Sequence, residues 1–235
     1  MIVRRFTICL VVSLALLVTG CRTSTGTRPE GPILVDCDPP DGAVERLDAG
    51  PRARLAVIGD IGEDSQKLRL RTMAQIAAAL DDEMRQELLD AIVILGDNFY
   101  PCGLEREDQW EILRPLARLG VPMFPIWGNH DYGLQRGCPP VDPCRQLQPD
   151  APRWLRPLWR FPSPSYRIEI ADLAVISMLD TTPLALGWTS ALDLKQRLRD
   201  DLGEGAAPWK IAGGHHVLFS SGRHGIRREH LRLMR

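Results

Sequence analysis

The sequence predicts an α/β domain, on three observations. Apolar runs of strand length at residues 55–58, 91–95 and 121–127 each stop at a glycine followed by a polar residue. Between them, apolar side chains recur at helical spacing. At 235 residues with 44% hydrophobic content, the chain can bury one sizeable core but not two large ones. Strand and helix in alternation argue for an α/β sandwich or a doubly wound sheet.

The first 21 residues read as an export signal, because Arg4 and Arg5 precede an apolar run over 6–18 that is too short for an ordinary membrane-spanning helix. The segment ends Leu17-Val18-Thr19-Gly20-Cys21, which resembles the lipobox of bacterial lipoproteins, where the cysteine is lipidated. That resemblance implies a chain held through Cys21 on a bacterial membrane of the cell envelope. A plain secretory signal with an incidental cysteine is the alternative. Residues 22–50, rich in Thr, Pro, Gly and Asp, are expected to form a flexible tether, with the domain over 51–235.

Within the domain, the strand over 55–58 runs into Gly59-Asp60. A helix is expected over 65–80, capped by Asp64 or Ser65, with Met73, Ile76, Ala77 and Leu80 on one face. The run over 91–95 repeats the first pattern and ends at Gly96-Asp97. Trp110, Leu113 and Ala117 fall at helical spacing, with Pro115 expected to kink or interrupt that helix. The strand over 121–127 stops at Gly128-Asn129-His130-Asp131. A loop dense in Pro, Gly and Cys then runs to about residue 157, long enough for a functional or disulfide-pinned insertion. Strands over 166–170 and 173–178 are expected to pair as a hairpin across Ala171-Asp172. A helix over 192–202 and a strand over 209–212 follow, ending at Gly213-Gly214-His215-His216.

Export gives the cysteines a meaning. With Cys9 and Cys21 set aside, Cys37, Cys102, Cys138 and Cys144 are an even number in an oxidising compartment, where disulfides are the default. Cys138 and Cys144 flank a Pro-rich loop and could close it, but three pairings stay open. The absence of any Cys-x-x-Cys argues against a thiol redox pair or a cysteine zinc site. The formal charge of -1 gives no electrostatic footprint for nucleic acid or an acidic membrane surface. The arginines over 223–235 read as a solvated helix face.

Asp60, Asp97 with Tyr100, Asn129 with His130, and His215 all stand where a strand ends in a Gly-rich turn. Open α/β sheets gather ligands at the carboxyl ends of their strands, so these residues can converge although they are far apart in sequence. Carboxylate, amide oxygen, phenolate and imidazole together favour Mn, Fe or Zn. Each turn alone is ordinary loop chemistry.

In order and company, Gly59-Asp60-Ile61-Gly62, Gly96-Asp97-Asn98-Phe99-Tyr100, Gly128-Asn129-His130-Asp131 and Gly213-Gly214-His215 resemble the motif series of the purple acid phosphatases, within the calcineurin-like metallophosphoesterase superfamily. Trp159-Arg160-Phe161-Pro162-Ser163-Pro164 and Met178-Leu179-Asp180-Thr181 resemble the framework of its small, mammalian-type, tartrate-resistant members. The resemblance implies a metallophosphoesterase-like β-sandwich flanked by helices in αββα layers. It also implies two metal ions, iron paired with iron, zinc or manganese, acting on a small phosphate ester. Asp60 and Tyr100 would serve the first metal, Asp97 would bridge, and Asn129 and His215 would serve the second. His130 would be catalytic with Asp131 orienting its ring, and Asn98 and His216 would lie near the substrate. Two cations about 3.5 to 4 Å apart clamp a phosphoryl group and activate water.

The family's later Gly-His-x-His segment does not occur in these 235 residues, so the domain is expected to be C-terminally incomplete, with one protein ligand fewer on each metal. A catalytically degenerate surface lipoprotein that keeps the scaffold for phosphate or partner binding is the alternative.

Overall fold

The computed structural model describes residues 5–10, 37, 42–61, 66–85, 87–203 and 206–218. Two four-stranded sheets make up its centre. In the first, β1 (Arg5–Leu10), β3 (Arg52–Ile58), β4 (Ala91–Ile94) and β5 (Met123–Pro125) lie side by side in the order β1-β3-β4-β5, all parallel. In the second, β2 (Val44–Leu47), β6 (Tyr166–Ile170), β7 (Ala174–Leu179) and β8 (Trp209–Gly214) lie in the order β2-β6-β7-β8. There β6 and β7 are antiparallel, whereas β2 and β8 run parallel to their neighbours.

The two sheets share one core. Leu55, Ile92, Ile94 and Phe124 of the first pack in the same buried cluster as Tyr166, Ile168, Ile176 and Met178 of the second. Near-continuous apolar strands such as Ala91–Ile94 are what a sheet covered on both faces demands. Helix α1 (Gln66–Met84) adds Met73, Ile76, Ala77 and Leu80 to that cluster, and α2 (Arg114–Ala117) packs against α1. On the other side α4 (Ala191–Gly203) lies on β7 and β8. The layers are those expected of a β-sandwich flanked by helices.

The hairpin forms as expected, with Ala171 at φ +43 in its turn. Four features differ from the sequence expectations. Pro115 interrupts the expected helix and does not kink it. A 3-10 helix over Glu107–Leu113 gives way to α2 there, and Pro115 sits in the first turn of α2, where its missing N–H leaves no bond unmade. Part of the expected tether is structure, since residues 44–47 form β2 along β6 and Cys37 is bonded into the domain. Residues 5–10 are expected from sequence to stand apart, but they form β1, because an apolar run beside the open edge of β3 finds a row of unpaired donors and acceptors. The remaining difference lies in the disulfides. Cys37 joins Cys144 and Cys102 joins Cys138, with Cα atoms 5.5 and 5.3 Å apart, so the loop-closing Cys138–Cys144 bond does not form. Asp142 caps a 3-10 turn over Pro143–Gln146 that carries Cys144 toward Cys37 instead. A short helix α3 (Thr182–Leu186), unmarked by any long period, closes on Gly187.

The expected cap at Asp64 or Ser65, the arginines over 223–235 and Cys21 lie outside the described residues. Among the described residues no helix is long and apolar enough to cross a membrane.

Candidate metal centre

Asp60 follows β3 and Asp97 follows β4, and both stand in the left-handed backbone region at φ +50 and +55. That conformation costs an L-residue about 1 to 2 kcal/mol and is tolerated best by Gly, Asn and Asp. Two such residues at neighbouring strand ends are strain held at a site. The turns are joined directly, for Asp60 N–H donates to the Gly96 carbonyl at 3.1 Å. Beneath them a chain of edge-on aromatic contacts links Phe99, Trp110, Trp159, Phe161, Trp127 and Tyr132, fixing the turns after β4 and β5 from the core side.

These turns bring Asp60, Asp97 and His215 together, with one ligand atom from each all within 4.8 Å of one another. Asp97 is 3% exposed. Its Oδ2 accepts from the Tyr100 hydroxyl at 2.6 Å, and that hydroxyl also lies 3.2 Å from Asp60 Oδ1. Its Oδ1 accepts from His130 N–H at 3.0 Å and faces His215 Nε2 at 3.5 Å. The two oxygens of Asp97 therefore address two different sets of donors. His215 is turned by its Nδ1, which contacts the Leu95 carbonyl at 2.9 Å. A carbonyl can only accept, so Nδ1 carries hydrogen and Nε2 is free to ligate.

Electrostatics mark the spot as a place for a cation. Among the described residues neither carboxylate pairs with a lysine or arginine, and the ring that faces Asp97 is that of His215, a cation only when protonated. Burial works against the charged form of His215, but Asp97 and then Asp60 outweigh it and hold its pKa above the ordinary value. Burial, then Asp97 and Asp60, drives the Tyr100 phenol far upward. A metal ion would replace both protons. Shape agrees with charge, since a Cβ on Gly128 would stand 2.1 Å from Asp97 Oδ1, so the carboxylate fills the space a side chain would take. A donor set of two carboxylates, a phenol and an imidazole, in a cradle kept open by glycine, fits hard or borderline divalent and trivalent cations. Asn129 is half-buried in the same turn, between Gly128 and His130.

Two expectations about neighbouring residues change. Asp131 does not orient His130. It is fully buried, and its carboxylate accepts from the backbone N–H groups of Asn98, Phe99 and Gly128 and from Asn98 Nδ2. Burial, then the charge of Asp97, pushes its carboxyl upward against those donors. Asn98 is not open to substrate either, being fully buried with Nδ2 donating to the Ile126 carbonyl at 2.8 Å. Both side chains tie the turns after β4 and β5 together from behind. His216 contacts Thr181 Oγ1 through Nδ1 at 2.9 Å and meets the His215 ring edge-on, so it stands at the rim of the cluster. The His130 ring stacks on Tyr100, centroids 4.0 Å apart, with Nδ1 2.7 Å from the Pro101 carbonyl.

That carbonyl carries no signal a sequence can display, and it sets the orientation of His130. The Cys102–Cys138 bond beside it was within reach of sequence reasoning only as one of three pairings. Asp180 was visible only as framework, yet it is buried, accepts from the Tyr132 hydroxyl and from Thr182 N–H, and is pushed up to about 6, mainly by burial.

Hard-cation ligands from parallel strand ends, meeting where two sheets of a helix-flanked sandwich share a core, define a metallophosphoesterase architecture. The chain belongs to the calcineurin-like phosphoesterase family, which it matches over residues 53–234. It is similar to Purple acid phosphatase 3 of Arabidopsis thaliana, 29% identical over 194 residues, covering 72% of this chain and 49% of that protein. It is likewise similar to Purple acid phosphatase 17 of Arabidopsis thaliana, 28% identical over 202 residues, covering 74% of this chain and 54% of that one. The chain spans about half the length of these curated relatives.

Proposed function

We propose that this chain hydrolyses small phosphate monoesters at a dinuclear metal centre, in the manner of an acid phosphatase. The observation that carries the reading is the convergence of Asp60, Asp97 and His215 within 4.8 Å, with the Tyr100 hydroxyl across both carboxylates. Asp60 and Tyr100 would hold one ion, Asn129 and His215 the other, and Asp97 both. Iron with iron, zinc or manganese fits these donors. When bound, the ions neutralise the phosphoryl oxygens and supply an activated water.

The chain's own groups do the rest. His130 stands beside Tyr100 with Nδ1 committed to a carbonyl, which leaves Nε2 to pass a proton to the departing oxygen. As that oxygen takes the proton, its bond to phosphorus breaks and the electron pair stays on it. Asp131 and Asn98 hold the two loops at fixed separation.

The test pairs elemental analysis with turnover of 4-nitrophenyl phosphate after exposure of the purified chain to iron, zinc and manganese. The expected result is close to two metals per chain with phosphate release, and Asp97→Asn should lose metal and about 100-fold or more in turnover, the scale of a lost electrostatic stabiliser. Metal-free chain without turnover would support the non-catalytic scaffold instead. A tyrosinate on ferric iron would also colour the protein, and Tyr100→Phe would remove the colour.

We also propose export and lipid anchoring through Cys21 at a bacterial cell envelope, supported by the sequence of residues 1–21 alone. Metabolic labelling with a radioactive fatty acid should mark the chain, and Cys21→Ser should abolish the label. An unlabelled wild-type chain would sink the idea.

A further inference from the structure

The ring of His130 is half-exposed, so something must decide which way it faces. Two contacts do so, and both come from one short turn. The Tyr100 ring stacks on it with an interplanar angle of 24°, and the Pro101 carbonyl contacts Nδ1 at 2.7 Å. Tyr100 is itself fixed through its hydroxyl on Asp97 and Asp60. Pro101 is exposed, and a carbonyl in water gains little from one partner over another.

What holds that carbonyl in place is the next residue. Cys102 is buried and bonded to Cys138, which lies in the loop that leaves His130. Cys138 Sγ stands 3.9 Å from the same Pro101 carbonyl. The bond thus fastens the turn carrying the hydrogen-bond acceptor to the segment carrying the histidine, directly beside their contact. Close backbone packing supports it, for a Cβ on Gly103 would lie 2.6 Å from the Asp131 carbonyl oxygen.

We propose that Cys102 and Cys138 are positioning residues, whose disulfide keeps the Pro101 carbonyl on His130 Nδ1 and so presents Nε2 to the leaving group. This rests on the phosphoesterase reading for its chemistry but not for its geometry. The distinctive consequence concerns the leaving group. An alkoxide must be protonated as its bond to phosphorus breaks, whereas a dinitrophenolate leaves without help. Loss of a positioned acid therefore slows alkyl esters and spares dinitrophenyl esters.

The experiment uses the metal-loaded chain and Cys102→Ser/Cys138→Ser, with glycerol 2-phosphate and 2,4-dinitrophenyl phosphate as substrates. General-acid catalysis contributes about 100-fold or more, so the variant should lose at least about tenfold in kcat on the alkyl ester. On the dinitrophenyl ester the change should stay within about twofold. Cys37→Ser/Cys144→Ser serves as comparison and should slow neither ester selectively. In parallel, 15N-histidine NMR of the metal-free chain, with His130 assigned by its loss in His130→Ala, should show hydrogen fixed on Nδ1 in the wild type and exchange between the ring nitrogens in the double variant.

Equal loss on both esters, no loss, or an unchanged Nδ1 signal would overturn the proposal. If the double variant does not fold, the same rates are followed on folded Cys37→Ser/Cys144→Ser as its remaining bond is reduced. A wild type that hydrolyses neither ester overturns the phosphoesterase reading, and the Nδ1 signal then decides alone whether the disulfide fixes the ring.

Discussion

Asp131 sits beside the proposed acid His130 in sequence and does something else in space. Its carboxylate is the shared acceptor for three backbone N–H groups and one side-chain amide, from two loops that must keep their separation. Asp131→Ala leaves the three buried N–H groups without their acceptor, at a cost of about 3 kcal/mol. That corresponds to a fall of about 6 to 12 °C in Tm for a chain of this size, measured by calorimetry. An unchanged Tm with lost turnover would restore a catalytic role instead. Asp180 makes a pH prediction. Burial, partly offset by Tyr132 and Thr182, raises its folded pKa from 3.8 to about 6. Between those values the folded state binds the extra proton, so stability declines as pH rises through that window and stays lower above it. The decline is about 3 kcal/mol. In Asp180→Asn the fall in Tm between pH 3 and pH 7 should be smaller than in the wild type by about 6 to 12 °C, and an equal fall in the two proteins would contradict the burial argument.

The turns after β3, β4 and β5 are where local sequence and tertiary purpose meet, and a single glycine tests this. Gly128 has no room for a methyl group, because its Cβ would stand 2.1 Å from Asp97 Oδ1 and 2.6 Å from Asp97 N. Gly128→Ala should therefore displace Asp97, backbone and carboxylate together, and cut metal stoichiometry to below one per chain, while far-UV circular dichroism remains that of the wild type. Retention of both metals would show that the Asp97 turn can move aside. Such turns were legible in the sequence because a strand ending in Gly-Asp is a local pattern, as was the hairpin of β6 and β7, with burial that alternates along β6. The convergence of Asp60, Asp97 and His215 was legible for the same reason, since parallel strand ends place their turns on one rim. What was not legible depends on partners distant in sequence. The four residues of β2, Val-Glu-Arg-Leu, have no period to display and become a strand only because β6 offers an edge. Asn98 and Asp131 flank ligands, and whether such a side chain faces the site or the core is decided by how two turns dock. Pro115 kept its rule but not its place, ending a 3-10 segment instead of bending an α-helix.

Across the whole molecule, the two disulfides divide the labour of stability and positioning, and they can be separated. Cys37–Cys144 spans 107 residues and ties the chain ahead of β2 to the loop that follows β5, whereas Cys102–Cys138 spans 36 and lies within the site's own loops. A bond that closes a longer loop removes more freedom from the unfolded chain, about 5 kcal/mol for the first and about 4 kcal/mol for the second in the chain-entropy account. Opening the long bond should thus lower Tm more than opening the short one, by about 2 to 4 °C for the 1 kcal/mol difference. The order of damage to catalysis should be the reverse, because only the short bond adjoins the Pro101 carbonyl that faces His130. A destabilised but chemically unaltered Cys37→Ser/Cys144→Ser, set beside a more stable Cys102→Ser/Cys138→Ser that has lost its alkyl-ester activity, cannot arise from general loosening, since loosening would rank both properties alike. If Tm and alkyl-ester turnover fall in the same order across the two variants, the bonds are interchangeable staples and the positioning role is gone.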